Sequence, residues 1–300
     1  MKTSVQRSKP RIGGVIGINL VFLLTATFIH AQSREVSMSP WGPTDEIGRL
    51  NLMTPESRAE ILSRVDGAIA YDLSVEYFVG MPSWQALGDP QYQFWMTHTP
   101  NGTVVDDPND QGREMNERVA YSGSAVSMYT HMGTHIDTLN HFGLNGKIWN
   151  GYEAREHLGD KGWNVTGAEA IPPIIARGVL IDVAATKGVD ILSDNYRITR
   201  QDLIDALERQ DVELEEGDVV LIRTGRMQIY EDAEAYMLNS PGIGLEAARF
   251  LVEEKGAMLI GLDNLSFEAS PSEFEDNYRP LHTYLLAQQG TPILELVYLE

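Results

Sequence analysis

The second half of the chain alternates short apolar runs with segments that carry helix signals. The apolar runs are nearly continuous, which is typical of strands buried on both faces of a sheet. We predict strands at residues 178–183, 218–224, 257–262 and 292–298. Strands of this kind, separated by helices, predict an α/β fold in which flanking helices cover a buried sheet.

Helix start and stop residues support this alternation. Thr199 and Asp202 have the spacing of a capping box, and Gly256 and Gly290 suit the position just behind a helix. In the first half, Thr54 precedes a proline and an acid, which is a typical helix start. We predict helices at residues 55–64, 199–207, 244–254 and 280–289.

The rest of the first half is less regular. Residues 71–78 have a β-like composition, but glycine and proline interrupt such pieces as far as Tyr129. Residues 106–116 are polar and indicate a loop. Because no internal repeat or linker divides residues 32–300, we expect a single domain there.

The N-terminus has the organisation of a secretory signal peptide. A basic segment precedes an uncharged run over residues 12–29, and Ala31 supplies a small residue behind it. We predict cleavage after Ala31 and export to the periplasm or out of the cell. An uncleaved run of this length would instead anchor the protein in a membrane.

Composition narrows the range of functions. The formal net charge is -20, with 43% apolar and 22% charged residues, as in an ordinary globular protein. Nucleic-acid binding needs a positive patch, so we expect no nucleic-acid partner. Because the chain has no cysteine, a bound metal must be held by histidine, aspartate or glutamate.

Three of the seven histidines lie close to one another and to an aspartate, as His131, His135, Asp137 and His141. On a helix, Asp137 would point nearly away from His135. On a strand, all four side chains would share a face, but His131 and Asp137 would lie about 20 Å apart. Ligands of one ion bond it at roughly 2 Å, so the segment must bend.

Gly133 gives the backbone the freedom to bend after His131, and the Thr134 hydroxyl can tie a turn. Imidazole and carboxylate groups that converge in this way suit zinc or manganese. The alternative is that these side chains are ordinary polar residues of a surface loop.

Two residues near the C-terminus are further candidates. His282 lies near the start of the last predicted helix, and Glu295 lies between Leu294 and Leu296 in the last predicted strand. A carboxylate between apolar neighbours of a core strand needs a partner, and a metal is one. A capping role for His282 and a solvent-facing Glu295 are the alternatives.

The segment His131-x-Gly-Thr-His135-x-Asp137-x-x-x-His141 resembles the signature of the cyclase-like metal-dependent hydrolases, which include bacterial kynurenine formamidases and isatin hydrolases. Residues 41–51, 217–225, 261–263 and 281–295 are also similar to segments of that family. The resemblance implies a single α/β domain of the swivelling β/β/α type, with a mixed sheet and flanking helices. It further implies assembly as a dimer or tetramer.

The resemblance assigns the metal ligands in two groups. A first ion is expected on His131, His135 and Asp137, and a second on His282 and Glu295, with Asp137 as a bridge between them. One or two ions of zinc or manganese are expected in each subunit.

His141 matches the catalytic histidine of the family, which acts as general acid or base. A divalent ion lowers the pKa of a bound water from about 15.7 toward roughly 7. The implied activity is hydrolysis of a carbon–nitrogen bond in an aryl formamide or cyclic amide, such as N-formylkynurenine, on the route from tryptophan to kynurenine, or isatin. A lactone or ester hydrolase and a secreted, non-catalytic metal- or solute-binding protein are the alternatives.

The substrate pocket is the part that the sequence determines least. Aromatic side chains suited to a flat substrate are equally suited to a core; the candidates are Trp84, Phe94, Trp95, His98 and Tyr129. Arg223 lies in a predicted strand, where it could bind a substrate carboxylate or form a structural ion pair. The expected partners are a small-molecule substrate and further copies of the chain.

Overall fold

A computed structural model of the chain describes residues 34–300. The predicted signal segment, residues 1–31, lies outside the described residues, so its cleavage and the export of the protein stay predictions. Within residues 34–300, no helix is both long and apolar enough to cross a bilayer.

The secondary structure follows the alternation expected from the sequence. The strands, in chain order, are β1 Gln93–His98, β2 Gly123–Ser127, β3 His135–Asp137, β4 Leu158–Gly159, β5 Gly162–Trp163, β6 Gly178–Asp182, β7 Arg197–Ile198, β8 Val219–Arg223, β9 Gly242–Ile243, β10 Leu259–Leu262 and β11 Ile293–Glu295. The α-helices are α1 Pro55–Arg64, α2 Pro100–Asp106, α3 Arg113–Arg118, α4 Ala154–His157, α5 Val183–Thr186, α6 Arg200–Gln210, α7 Ala233–Met237, α8 Leu245–Arg249 and α9 Pro280–His282. The π-helical segments Phe250–Glu254 and Thr283–Gln289 continue α8 and α9, and 3-10 turns lie at Gly48–Leu52, Gln85–Leu87, Trp149–Gly151, Ala168–Ala170 and Arg226–Ile229.

A mixed five-stranded sheet forms the centre of the fold, in the order β3-β11-β10-β8-β6. The strands β6, β8, β10 and β11 are parallel, whereas the edge strand β3 is antiparallel to β11. Side chains alternate between the two faces: Ile222 and Ile260 pack in the same core cluster as residues of α6, α8 and α9. On the other face, Leu259 packs with Leu50 and Met53. The predicted fold class, an α/β domain with a mixed sheet and flanking helices, is confirmed.

The predicted helix starts are present. The Thr199 hydroxyl accepts a hydrogen bond from the Asp202 N–H, and the Asp202 carboxylate accepts one from the Thr199 N–H, which completes the capping box of α6. The Thr54 side chain accepts a hydrogen bond from the Ser57 N–H at the start of α1. The strand β11 ends before residue 298, because Leu296, with a φ of 56°, leaves the extended conformation.

Two predictions for the first half are wrong. Residues 71–78 form no strand, because the Val75 N–H donates to the Thr134 hydroxyl instead of to the backbone of a neighbouring strand. Residues 106–116 are not a loop throughout, since α3 begins within them. The Asp107 carboxylate orders the connection by accepting hydrogen bonds from the Gln111 and Gly112 N–H groups.

The strands β1 and β2 form a hairpin that is separate from the central sheet. Every residue of β1 is exposed, including Phe94 at 50%, and Val126 of β2 is 56% exposed. A lone two-stranded hairpin is at best marginally stable in water. The chain that follows β2 leads directly into the histidine segment.

Candidate metal centre

The antiparallel pairing of β3 with β11 brings the two distant parts of the predicted site together. His135 lies directly opposite Glu295 in the register of this pair. The Nε2 atom of His135 is 3.7 Å from Glu295 Oε2 and 3.3 Å from Asp137 Oδ1. The strand β11 therefore places the Glu295 carboxylate beside the histidine segment.

The bend before β3 depends on Gly133. This residue has a φ of 65°, and a Cβ atom here would lie 2.1 Å from the Tyr77 ring. The Thr134 hydroxyl then donates to the Leu296 carbonyl at 2.5 Å. The predicted bend is present, and Thr134 ties it to the chain just behind β11 instead of closing a local turn.

His131 and His141 lie on the other side of Asp137. Their rings stack with centroids 3.9 Å apart. His131 Nδ1 is 2.7 Å from Asp137 Oδ1, and His141 Nε2 is 3.8 Å from Asp137 Oδ2. The Asp137 side chain is 1% exposed, but those of His131 and His141 are 19% and 25% exposed, so the cluster opens to solvent on this side.

His282 comes from α9 and is held in place by Glu268. The Nδ1 atom of His282 is 2.7 Å from Glu268 Oε1, and the other oxygen of Glu268 accepts a hydrogen bond from the Leu281 N–H. The other ring nitrogen, Nε2, lies 3.8 Å from Asp137 Oδ2 and 3.6 Å from Glu295 Oε1. Metal-binding histidines commonly have their second nitrogen bound to a carboxylate in this way.

Several buried atoms at the centre of the cluster have no hydrogen-bond partner among the described residues: His135 Nε2, both Asp137 carboxylate oxygens and Glu295 Oε1. The Nδ1 atom of His135 lies 2.8 Å from the Gly133 carbonyl, to which it donates, so its Nε2 carries a lone pair. Buried polar atoms are nearly always paired. A divalent cation would satisfy this mixture of nitrogen and oxygen atoms, and the residues therefore fit a bound metal.

The potential ligand atoms fall into two sets, and within each set they lie within 4.8 Å of one another. One set contains His131, Asp137 and His141, and the other His135, Asp137 and Glu295. Asp137 is common to both, so its two oxygens lie at the centre of the whole cluster.

Burial and neighbouring charges act against each other on these groups. Burial lowers the pKa of His282, but the adjacent Glu268 and Glu295 carboxylates outweigh it and raise that pKa to about 10. Burial raises the pKa of Asp137, but the adjacent His131 and His135 side chains hold it well below its usual range. Asp137 is therefore anionic at neutral pH.

His141 differs from the other histidines of the cluster. Burial lowers its pKa to about 4, although Asp137 acts in the opposite direction. Its ring is therefore neutral near pH 7, and a neutral imidazole can accept a proton.

The structure brings all the predicted ligands together. His131 and His135, both expected on the first ion, have ring centroids 5.0 Å apart and both adjoin Asp137 Oδ1. The assignment of ligands to a first and a second ion stays a prediction. His282 adjoins Asp137 and Glu295, as expected for the second ion. His141 is itself one of the residues whose ring nitrogen is placed to bind a metal ion. Its assignment as the residue that transfers protons therefore stays a prediction.

The predicted substrate-binding residues lie in two places. Trp84 is half-buried and packs in the same apolar cluster as Tyr129, whose ring lies 5.2 Å from that of His131. Trp95 and His98 lie on the exposed hairpin, where the His98 ring contacts Tyr121. The structure thus places Tyr129 beside His131 and Trp84 in the same apolar cluster as Tyr129. Within residues 34–300, the hairpin residues have no ring contact with the histidines of the site.

Of the two alternatives for Arg223, substrate binding and a structural ion pair, the structure shows the ion pair. Its guanidinium forms ion pairs with Asp182 at 3.1 Å and with Glu300 at 2.7 Å. The charge of Arg223 is therefore already paired within the protein.

Sequence reasoning missed two residues at the site. Glu268 orients His282, and the Phe142 ring packs 4.8 Å from His141 and 4.7 Å from His282. Glu268 stands between Phe267 and an alanine, so the argument applied to Glu295 would have found it. Phe142 has no signal beyond its place next to His141.

Comparison with known proteins agrees with this architecture. Residues 71–269 match the family Cyclase ("Putative cyclase"), so the match includes the histidine segment and ends before His282. No curated protein matches the chain significantly. A solved structure described as a novel cyclase superposes with a TM-score of 0.76 at 24% identity, covering 88% of this chain and 87% of the other.

Two isatin hydrolases have the same fold. Isatin hydrolase A from Ralstonia solanacearum gives a TM-score of 0.55 at 22% identity, covering 82% of this chain and 84% of its own. Isatin hydrolase A from Labrenzia aggregata, bound to benzyl benzoate, gives 0.56 at 20% identity, covering 80% and 86%. At these identities the likeness shows the fold alone, whereas the family match spans most of the chain. The chain belongs to the Cyclase family.

Proposed function

We propose that the protein is a metal-dependent hydrolase that cleaves the carbon–nitrogen bond of an aryl formamide or a cyclic amide. The observation that carries this proposal is the cluster of unpaired, buried ligand atoms around Asp137, which opens to solvent beside His141. A purely structural metal site is normally closed, whereas a catalytic one keeps a side open for water and substrate.

The ligands would be His131, His135, Asp137, His282 and Glu295, and we propose one or two ions of zinc or manganese. A divalent ion bound there would make a water molecule acidic enough to ionise near neutral pH and would polarise a carbonyl oxygen. This is the chemistry that amide hydrolysis requires.

The side chains supply the remaining steps. His141 is neutral near pH 7 and partly exposed, so its ring can take the proton of the attacking water and deliver it to the leaving nitrogen. The Phe142 ring packs edge-on against the His141 ring at 80° and limits its rotation. Tyr129, which packs against His131, offers an aromatic surface to a flat substrate.

The choice of substrate rests on fold neighbours and on this aromatic surface. Isatin hydrolases share the fold, and one such structure is bound to the product analogue thioisatinate, with a TM-score of 0.57 at 17% identity. These neighbours support a cyclic amide such as isatin, and the same chemistry serves N-formylkynurenine. Hydrolysis of the latter would place the protein in the conversion of tryptophan to kynurenine.

The test is to purify residues 32–300, measure bound metal by mass spectrometry, and assay N-formylkynurenine and isatin with and without EDTA. We expect bound zinc or manganese and an activity that EDTA abolishes and added metal restores. Full activity in metal-free protein would refute the mechanism. Bound metal with no turnover of amides, lactones or esters would favour a non-catalytic binding protein.

We also propose that the protein is a homo-oligomer, either a dimer or a tetramer. Support comes from the hairpin of β1 and β2, whose exposed apolar residues on both faces would be covered by another copy. Light scattering after size exclusion measures the assembly directly, and a monomer at micromolar concentration would contradict it.

A further inference from the structure

We infer that Arg279 binds a carboxylate of the substrate beside the metal centre, so that the preferred amides are anionic. This inference rests on the proposed function, because it names the class of substrate for the same site. It depends on the position of Arg279, on its aromatic support and on its lack of an acidic partner among the described residues.

The position of Arg279 follows from α9. Arg279 directly precedes α9, which ends at His282, so roughly one helical turn separates it from a predicted metal ligand. Its other neighbour, Tyr278, has its ring 6.3 Å from Phe142, which itself packs against His141 and His282. The residues that flank Arg279 therefore lie at the rim of the metal centre.

An aromatic side chain supports the guanidinium. The Arg279 guanidinium lies over the Trp84 ring, 5.6 Å from its centroid. Trp84 belongs to the apolar cluster that contains Tyr129, and Tyr129 packs against His131. A guanidinium over a ring keeps N–H groups that can donate elsewhere, and their planar arrangement matches the two oxygens of a carboxylate.

The charge of Arg279 has no partner within residues 34–300: its guanidinium forms no ion pair and donates no hydrogen bond there. By contrast, Arg223 has two carboxylates and Arg34 pairs with Asp276. Arg279 differs from the exposed, unpaired Arg209 of α6 because it is half-buried and its guanidinium lies over an aromatic ring.

The overall charge makes such a residue useful. A formal net charge of -20 repels anionic substrates at long range. A free guanidinium at the rim of the site offsets this repulsion locally and orients a carboxylate, while the scissile amide reaches the metal centre. We therefore assign to the site aryl amides or formamides that carry a carboxylate substituent.

The experiment compares amides that differ only in charge. The probes are 2-, 3- and 4-formamidobenzoate and the uncharged formanilide, assayed with the metal-loaded protein. Arg279→Met removes the charge but keeps an apolar chain on Trp84, and Arg279→Lys keeps the charge but loses the planar fork. The control is Arg209→Met, which removes from α6 a cation that is exposed and unpaired among the described residues.

We expect Arg279→Met to lower kcat/KM for at least one formamidobenzoate by about 10- to 100-fold, mainly through KM, since a hydrogen bond to a charged group has this effect. Formanilide should change by less than about twofold, Arg279→Lys should be intermediate, and Arg209→Met should match the wild type. Equal losses on charged and uncharged probes, or no loss on either, would overturn the inference while leaving the hydrolase proposal intact.

If the wild type hydrolyses none of the probes, the inference is tested by the binding of a carboxylate. Benzoate binding is then measured by saturation-transfer NMR on EDTA-treated protein, so that the metal does not contribute. Weaker binding to Arg279→Met than to Arg209→Met would support the anion site although the proposed activity had failed. Equal binding to the two variants would overturn the site as well.

Discussion

Glu268 should control metal affinity although it is not itself a predicted ligand. Its carboxylate accepts the hydrogen bond of His282 Nδ1 at 2.7 Å, with both side chains almost completely buried. The substitution Glu268→Gln keeps an acceptor of similar shape but removes the negative charge. We expect weaker metal binding, because His282 then presents a less basic and less firmly oriented Nε2 atom.

The structure separates two effects of this substitution. Loss of such a carboxylate partner typically lowers metal affinity about 10- to 100-fold, which corresponds to about 1.4 to 2.7 kcal/mol. Independently, the amide NH2 of glutamine would face the Leu281 N–H, which now donates to Glu268 Oε2 at 3.3 Å. An unsatisfied buried donor costs about 1 to 3 kcal/mol of folding free energy, with or without metal.

Two measurements resolve these effects. Competition with a chromophoric chelator gives the zinc affinity, and urea unfolding gives the free energy of unfolding with and without zinc. Glu275→Gln is the matched control, because Glu275 is an exposed acid in the same segment. We expect the zinc affinity of the control to equal that of the wild type.

The reasoning fails if Glu268→Gln binds zinc as tightly as the wild type. It fails equally if the loss of unfolding free energy is the same in the presence and absence of zinc, because only the backbone effect at Leu281 would then remain. A larger loss in the presence of zinc is the expected result.

The same geometry leads to three more expected outcomes. His135→Ala should lose both metal and turnover, whereas His141→Ala should keep the metal and lose turnover; equal metal loss by mass spectrometry would make His141 a ligand. Gly133→Ala should cost more unfolding free energy than Gly146→Ala, because both residues have positive φ but only Gly133 faces the Tyr77 ring; equal costs in urea unfolding would contradict this. Burial raises the pKa of Asp263 to about 6 from 3.8, so its contribution to stability is full below pH 3.8 and is lost as the pH rises through 6. Relative to Asp263→Asn, the wild type should lose about 2.4 kcal/mol of unfolding free energy between pH 4 and 7, and parallel pH profiles of the two proteins would refute the shift.

The central sheet was predictable because the signals for its strands and helices lie within short segments of the sequence. The strands β6, β8 and β10 consist mostly of β-branched and leucine residues, and the capping box of α6 involves residues three apart. The histidine segment was also predictable, since hard distance limits required a bend at Gly133. These features need no knowledge of distant contacts.

The failures involve partners far away in the chain. Residues 71–78 have a strand-like composition, but the Thr134 hydroxyl takes the place of a backbone partner for Val75. The register of β3 against β11, which places Glu295 opposite His135, is not specified by the sequence. The role of Glu268 likewise depends on the packing of α9 against it.

Asp137 belongs to both sets of ligand atoms, so two metal ions bound there would share one carboxylate and would not bind independently. Both cations would be attracted to Asp137, but they would repel each other, and each would lower the affinity for the other by the same factor. We expect a calorimetric metal titration to show two separated steps, and a single cooperative step would contradict this. The free metal concentration around the protein would then set whether each subunit carries one ion or two.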